Sequence, residues 1–205
     1  MNYTTLAPQD VVDKTIEALT ERNVEAFVVE NKTQALEKIK ELIPRDSSVM
    51  NGSSRTLEQI GFVEYLKSNT HPWNNLHEAI ISEKDSTKQM TLRKQSVLSD
   101  YYLGSVHAIT EAGELVIASN TGSQLPHIVF TSSHLIFVVS TKKIVPTLSD
   151  AFKRLEEHVL PLEDANMRQK YGIGTTPNKI LIFKGENPMM GRRVRIIFVS
   201  EDLGF

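Results

Sequence analysis

A chain of 205 residues that is 40% hydrophobic and 23% charged can bury one large core and is too apolar to stay disordered. Its 23 Lys+Arg against 25 Asp+Glu leave a formal charge of −2, so no broad electrostatic pull toward nucleic acid or an anionic membrane is expected. With no cysteine it excludes disulfides, a thiol nucleophile, and any zinc or iron–sulfur cluster held by its own thiolates.

The opening "MNYTTLAPQDVVDKTIEALTERN" lacks the basic and then apolar segments of a secretory signal. No apolar run approaches the roughly 20 residues of a membrane span. A soluble, cytoplasmic protein is the expectation.

Val12, Ile16 and Leu19 recur at helical spacing after Pro8, predicting an N-terminal helical segment within 1–22. "VEAFVVE" (Val24–Glu30) reads as a buried strand and opens the main α/β domain, 23–205. Leu36, Ile39, Leu42 and Ile43 predict a second helix, stopped at Pro44. "SSVM" (Ser47–Met50) is a short strand, followed by "NGSSRT" and a helix through Leu57 and Ile60 that Gly61 caps. A further helical turn covers Phe62–Leu66. The polar stretch beyond it is read as a strand near Leu76–Ile81 and a helix over about Asp85–Leu98.

"YYLGSVHAIT", "ELVIAS", "HIVF" and "HLIFVVS" read as strands, with Gly113 turning the chain between the first two. Leu148, Ala151, Phe152, Leu155 and Val159 give a helix after Pro146, and "KILIF" and "RVRIIFVS" close the chain as strands. Strands alternating with helices in the first half predict a three-layer α/β protein. Its open, mostly parallel sheet is flanked by helices, with antiparallel strands added.

A strand, then "NGSSRT", then a helix is a layout that aims hydrogen-bond donors at an anion. Gly52 permits close backbone approach, Ser53, Ser54 and Thr56 bring hydroxyls, and Arg55 brings a charged fork. Ser54 or Thr56 could equally serve only as a helix N-cap, with Glu58 or Gln59 completing the capping. No Gly-Lys-Ser/Thr follows, so this is not a Walker A loop. Asn120, Thr121 and Gly122 follow "ELVIAS" and are predicted to share one cleft with Gly52–Thr56; a plain connection between strands is the competing reading.

The six histidines show no ligand spacing, and His127 and His134 at the starts of apolar runs read as structural, so no metal site is predicted. "GIGTTPNK" (Gly172–Lys179) follows a helix and reads as a loop. No Gly-x-Ser-x-Gly elbow anchors a hydrolase triad.

"NGSSRTLEQIG", "TEAGELVIASNTG", "LPHIVF" and "KKIVPTLSDAFKRL", in that order, resemble the LUD domain family of lactate-utilisation C-type proteins, from about Val24 onward. The resemblance implies a fold similar to sugar-phosphate isomerases, CoA transferases and 5-formyltetrahydrofolate cyclo-ligase. It also implies a non-redox role in oxidising lactate or a similar organic acid, with a small anionic ligand here and iron–sulfur clusters in partner proteins. No cofactor of this chain's own follows from it, and a homo-oligomer is compatible with it.

By the same likeness of fold, Glu111 in "TEAGEL" is the candidate catalytic carboxylate of an alternative, CoA transferase-like or cyclo-ligase-like enzyme; a solvated turn acid is the plainer reading. A structural subunit with a vestigial pocket is the remaining alternative. Residues Gly185–Phe205 depart from the family, lacking a glycine-proline-serine-arginine-threonine loop, and Arg192 and Arg193 are the candidates to rebuild that wall.

Overall fold

A computed structural model describes residues 2–68 and 70–205. Among the described residues, ten strands form in chain order: β1 (Val24–Val29), β2 (Ser48–Asn51), β3 (Asn74–Asn75), β4 (Tyr101–Gly104), β5 (Ala108–Thr110), β6 (Leu115–Ser119), β7 (His134–Ser140), β8 (Ile144–Val145), β9 (Lys179–Phe183) and β10 (Arg193–Val199). Six of them build a parallel sheet in the order β1-β10-β7-β4-β2-β3, and the other four a mixed sheet in the order β8-β5-β6-β9.

Parallel strands covered on both faces read as unbroken apolar runs, because each face needs its own hydrophobic set. "HLIFVVS" is such a run, as is the Ile196–Val199 end of "RVRIIFV", and these strands are the sheet's central pair, with Ile197 of β10 beside Val138 of β7. Ile136, Val138, Ile197 and Val199 point to one face, where α2 (Lys32–Leu42), α3 (Arg55–Gln59) and α4 (Phe62–Lys67) bury Ile39, Leu57 and Phe62 against them. Leu135, Phe137, Val139, Ile196 and Phe198 point to the other, against Leu19 of α1 (Gln9–Glu21) and Ile109, Leu115 and Ile117 of the mixed sheet. The outer face of the mixed sheet packs Ala108, Val116 and Ala118 on Ala151 of α7 (Leu148–Arg154) and on Leu155 and Val159 of the π-helical turn that follows.

The mostly parallel α/β architecture and the added antiparallel strands match the sequence reading; three local expectations do not. Residues 76–81 are helical, in Leu76–Ser82, because the Asn75 side chain accepts from the Glu78 amide and caps a helix there. His127–Phe130 is π-helical: the Arg192 guanidinium takes the carbonyls of His127, Ile128 and Val129, which a strand would have offered to a neighbour. "YYLGSVHAIT" is two strands in two sheets, and Ser105–His107 carries the chain from one to the other.

Phe137 is fully buried between the two sheets. Phe137→Ala is expected to lower unfolding free energy by about 3–5 kcal/mol in urea titrations; a loss below about 1 kcal/mol would show that this strand does not organise the core.

Candidate functional site

Strands β10, β7, β4 and β2 are neighbours and run the same way, so their carboxyl ends lie side by side. Those ends deliver Gly52–Thr56, Ser105–His107, the 3-10 turn Thr141–Lys143 and the segment after Val199. A cleft of about 450 Å³ opens there. Its other wall comes from Ala118–Thr121 at the end of β6, from α8 (Leu160–Tyr171), and from Thr175–Pro177.

Gly52 sits so close to β4 that a Cβ would collide with the Tyr102 hydroxyl, and its amide donates to Leu103 O at 3.1 Å. Close approach, not an unusual φ, is what requires glycine here. Ser54 accepts from the Leu57 amide at 3.3 Å, so the capping role is real and coexists with lining the cleft. Ser53 and Arg55 are exposed at its rim, and Arg55 pairs with Glu58 at 3.1 Å. Burial pushes the Glu58 carboxyl up, but Lys170 and Arg55 outweigh it and hold its pKa below the usual range. Thr56 is buried, and its hydroxyl meets that of Ser105 at 3.3 Å.

Asn120 and Thr121 line the same cleft from the opposite wall. Asn120 is fixed by Thr175 and Asn178, each at 3.3 Å. Gly122 is not among the lining residues. It makes the turn, with φ +84° and its amide spent on Ser119 Oγ.

Glu111 does not reach the cleft. Strands β5 and β6 pair as a hairpin, Ala108 with Val116 and Ile109 with Leu115, so the turn at Gly113 and the Asn120 end lie at opposite ends of β6. Glu111 instead forms an ion pair with Lys14 of α1 at 2.8 Å. Arg192 and Arg193 also miss the cleft. They stand at the amino end of β10, where Arg192 pairs with Glu186 at 2.9 Å and tethers the π-helical turn.

Several cleft residues were not among the site residues expected from the sequence. Lys143 is 4% exposed, and its Nζ lies 3.1 Å from Ser105 Oγ and Val106 O and 3.3 Å from Thr56 Oγ1. Burial, with Arg154 and Lys142 nearby, holds its pKa well below the ordinary lysine value. His107 accepts from the Ala118 amide through Nδ1 at 3.0 Å, which assigns its proton to Nε2 when neutral. Burial, then the charges of Lys143 and Arg154, push its pKa down to about 3. Glu163 of α8 lines the cleft with its pKa raised, first by burial. For Lys143 the sequence signals are "TKK" directly after an apolar strand and its place in "KKIVPTLSDAFKRL".

Among the described residues no group of three or more histidine, aspartate or glutamate side chains could hold a metal, and no helix is long and apolar enough to cross a membrane.

Comparison with known families matches the model described as "LUD domain" over residues 12–198. A DUF162 family protein from Deinococcus radiodurans, known from its crystal structure, is similar in fold, with a TM-score of 0.53 at 13% identity; the match covers 96% of this chain and 100% of that one. Comparison with curated proteins gives no match.

A histidine whose folded pKa lies below its ordinary 6.5 withholds a proton that the unfolded chain takes up. Its penalty is absent above pH 6.5 and grows as pH falls toward 3. His107→Gln keeps an acceptor for the Ala118 amide and is expected to flatten the acid limb of stability against pH relative to wild type. Parallel denaturation curves between those limits would refute this assignment.

Proposed function

The chain belongs to the LUD domain family, which is associated with lactate utilisation, and we propose that it is the non-redox component of a lactate or similar organic-acid utilisation system. Its role is to bind a small organic anion in the cleft at the carboxyl edge of the parallel sheet.

One observation carries this reading: two loops more than sixty positions apart in the chain, Gly52–Thr56 and Asn120–Thr121, line one cleft that also has Arg55 and Arg93 among its walls. Guanidinium groups match the planar fork of a carboxylate, and surrounding hydroxyls supply further donors without added charge. The opposing carboxylates count for less than their number. Glu58 is already shared between Arg55 and Lys170, and burial favours the neutral form of Glu163. Electron transfer falls to partner proteins carrying iron–sulfur clusters, since this chain brings no thiolate to ligate one.

A ligand that binds only the folded state raises apparent stability by about 2.7 kcal/mol at 100 times its Kd. Thermal-shift measurements with lactate, glycolate and pyruvate should therefore raise the melting temperature. Arg55→Ala should weaken the best of them by roughly 1.5–3 kcal/mol, the range for a hydrogen bond to a charged group. Stabilisation by sugar phosphates or CoA esters alone would assign the cleft to another ligand class.

A further inference from the structure

Two adjacent lysines in the 3-10 turn after β7 have opposite environments. Lys142 pairs with the Asp202 carboxylate and donates to Gly204 O at 2.9 Å. Lys143 has three oxygen partners at 3.1–3.3 Å, and all of them are neutral. Charge-assisted N–H···O bonds run shorter, at about 2.7–2.9 Å.

The charged and titratable groups around Lys143 make the contrast sharper. Arg154 of α7 is fully buried, and its guanidinium donates to the His107 carbonyl. Lys142 precedes it on the same turn, and His107 of the β4–β5 crossing and His158 of the π-helical turn complete the set, with Asp202 committed to Lys142. Burial and the two cations both favour the neutral amine, and a neutral, desolvated lysine amine is a nucleophile. Lys143 also lines the cleft.

We propose that the Lys143 amine forms an imine with the carbonyl carbon of a 2-oxo acid bound in the cleft. The inference rests on the organic-anion reading above and narrows it to the oxidised member of the hydroxy-acid/oxo-acid couple, because a 2-hydroxy acid has no keto carbonyl at C2 to attack. The carboxylate goes to the arginine and hydroxyl donors at the rim, and the carbonyl turns inward to Nζ.

In the first step the Nζ lone pair forms the N–C bond while the C=O π pair moves onto oxygen. A proton passes from nitrogen to that oxygen, giving a carbinolamine. Thr56 and Ser105, each touching Nζ and 3.3 Å from one another, are placed to relay it. A second proton, taken up from solvent onto the hydroxyl, then lets the nitrogen lone pair expel water and form the protonated imine C=NH+; loss of its N–H proton to solvent returns the one taken up. One water leaves, no electron is gained or lost overall, and no co-reactant is required.

The test is to incubate the protein with pyruvate and sodium borohydride, then locate the reduced adduct by intact mass and peptide mapping. One adduct per chain on Lys143 is expected, none with lactate in place of pyruvate, and none at that position in Lys143→Met. No adduct, or labelling scattered over other lysines, overturns the proposal, and mapping the wild-type chain makes this independent of whether the variant folds. Calorimetric titration with pyruvate and with lactate separates the two levels. Pyruvate binding without an adduct removes the imine and leaves the organic-anion site, whereas no binding of either acid removes both.

Discussion

The parallel alignment of β1, β10, β7, β4, β2 and β3 is the constraint on which the rest of this molecule depends. A parallel sheet is stable only when both faces are covered, which is why β7 and the Ile196–Val199 end of β10 show no polar alternation and why one side carries helices and the other a second sheet. Parallel direction also gathers every strand's carboxyl end on one edge. Residues 87 positions apart in sequence, such as Thr56 and Lys143, meet there without any local signal linking them. The mixed sheet then turns an open edge into a cleft by bringing the end of β6 opposite.

Beneath that cleft lie two basic side chains, Lys143 and Arg154, whose hydrogen-bond partners are hydroxyls and carbonyls only. Two guanidinium nitrogens of Arg154, Nε and Nη2, are buried with no partner among the described residues. Leaving buried donors unsatisfied costs about 1–3 kcal/mol each, more for charged groups, so such an arrangement runs against stability. A fold optimised for stability alone would place an acid beside them. Proteins commonly break this kind of rule where a site needs an electrostatic field, and here the broken rule and the cleft coincide.

What the sequence made legible follows from where the information is local. The strands β1, β7, β9 and β10 are β-branched runs, and the helices α1, α2 and α7 have apolar residues at helical spacing, so each could be read in isolation. The Gly52–Thr56 loop was legible because small hydrogen-bonding residues are crowded between a strand and a helix. Lys143 and His107 were not, since nothing in "TKK" or "SVHAIT" announces that a buried amine or a ring nitrogen faces another strand's loop. Residues 127–130 failed for a related reason. Their π-helical form depends on Arg192, more than sixty positions away. Glu111 came from likeness of fold, while the chain's own hairpin geometry already separated it from Asn120.

The two lysines owe their different fates to the geometry of the turn that holds them. A 3-10 turn advances about a third of a revolution per residue, so neighbours cannot face the same way. Lys142 is turned toward the segment after Val199, where Asp202 and the Gly204 carbonyl take its charge; Lys143 is turned beneath α3, toward Thr56. Gly204 then packs on both Thr56 and Lys143 so tightly that a Cβ would collide with the Thr56 hydroxyl and stand 2.8 Å from Lys143 Nζ. Its φ of +69° adds a second reason for glycine. The ion-paired lysine therefore fixes the segment that screens its neighbour, which has only neutral partners, from water. In that arrangement the low-dielectric surroundings that lower the Lys143 pKa are maintained by the ion pair of its own neighbour.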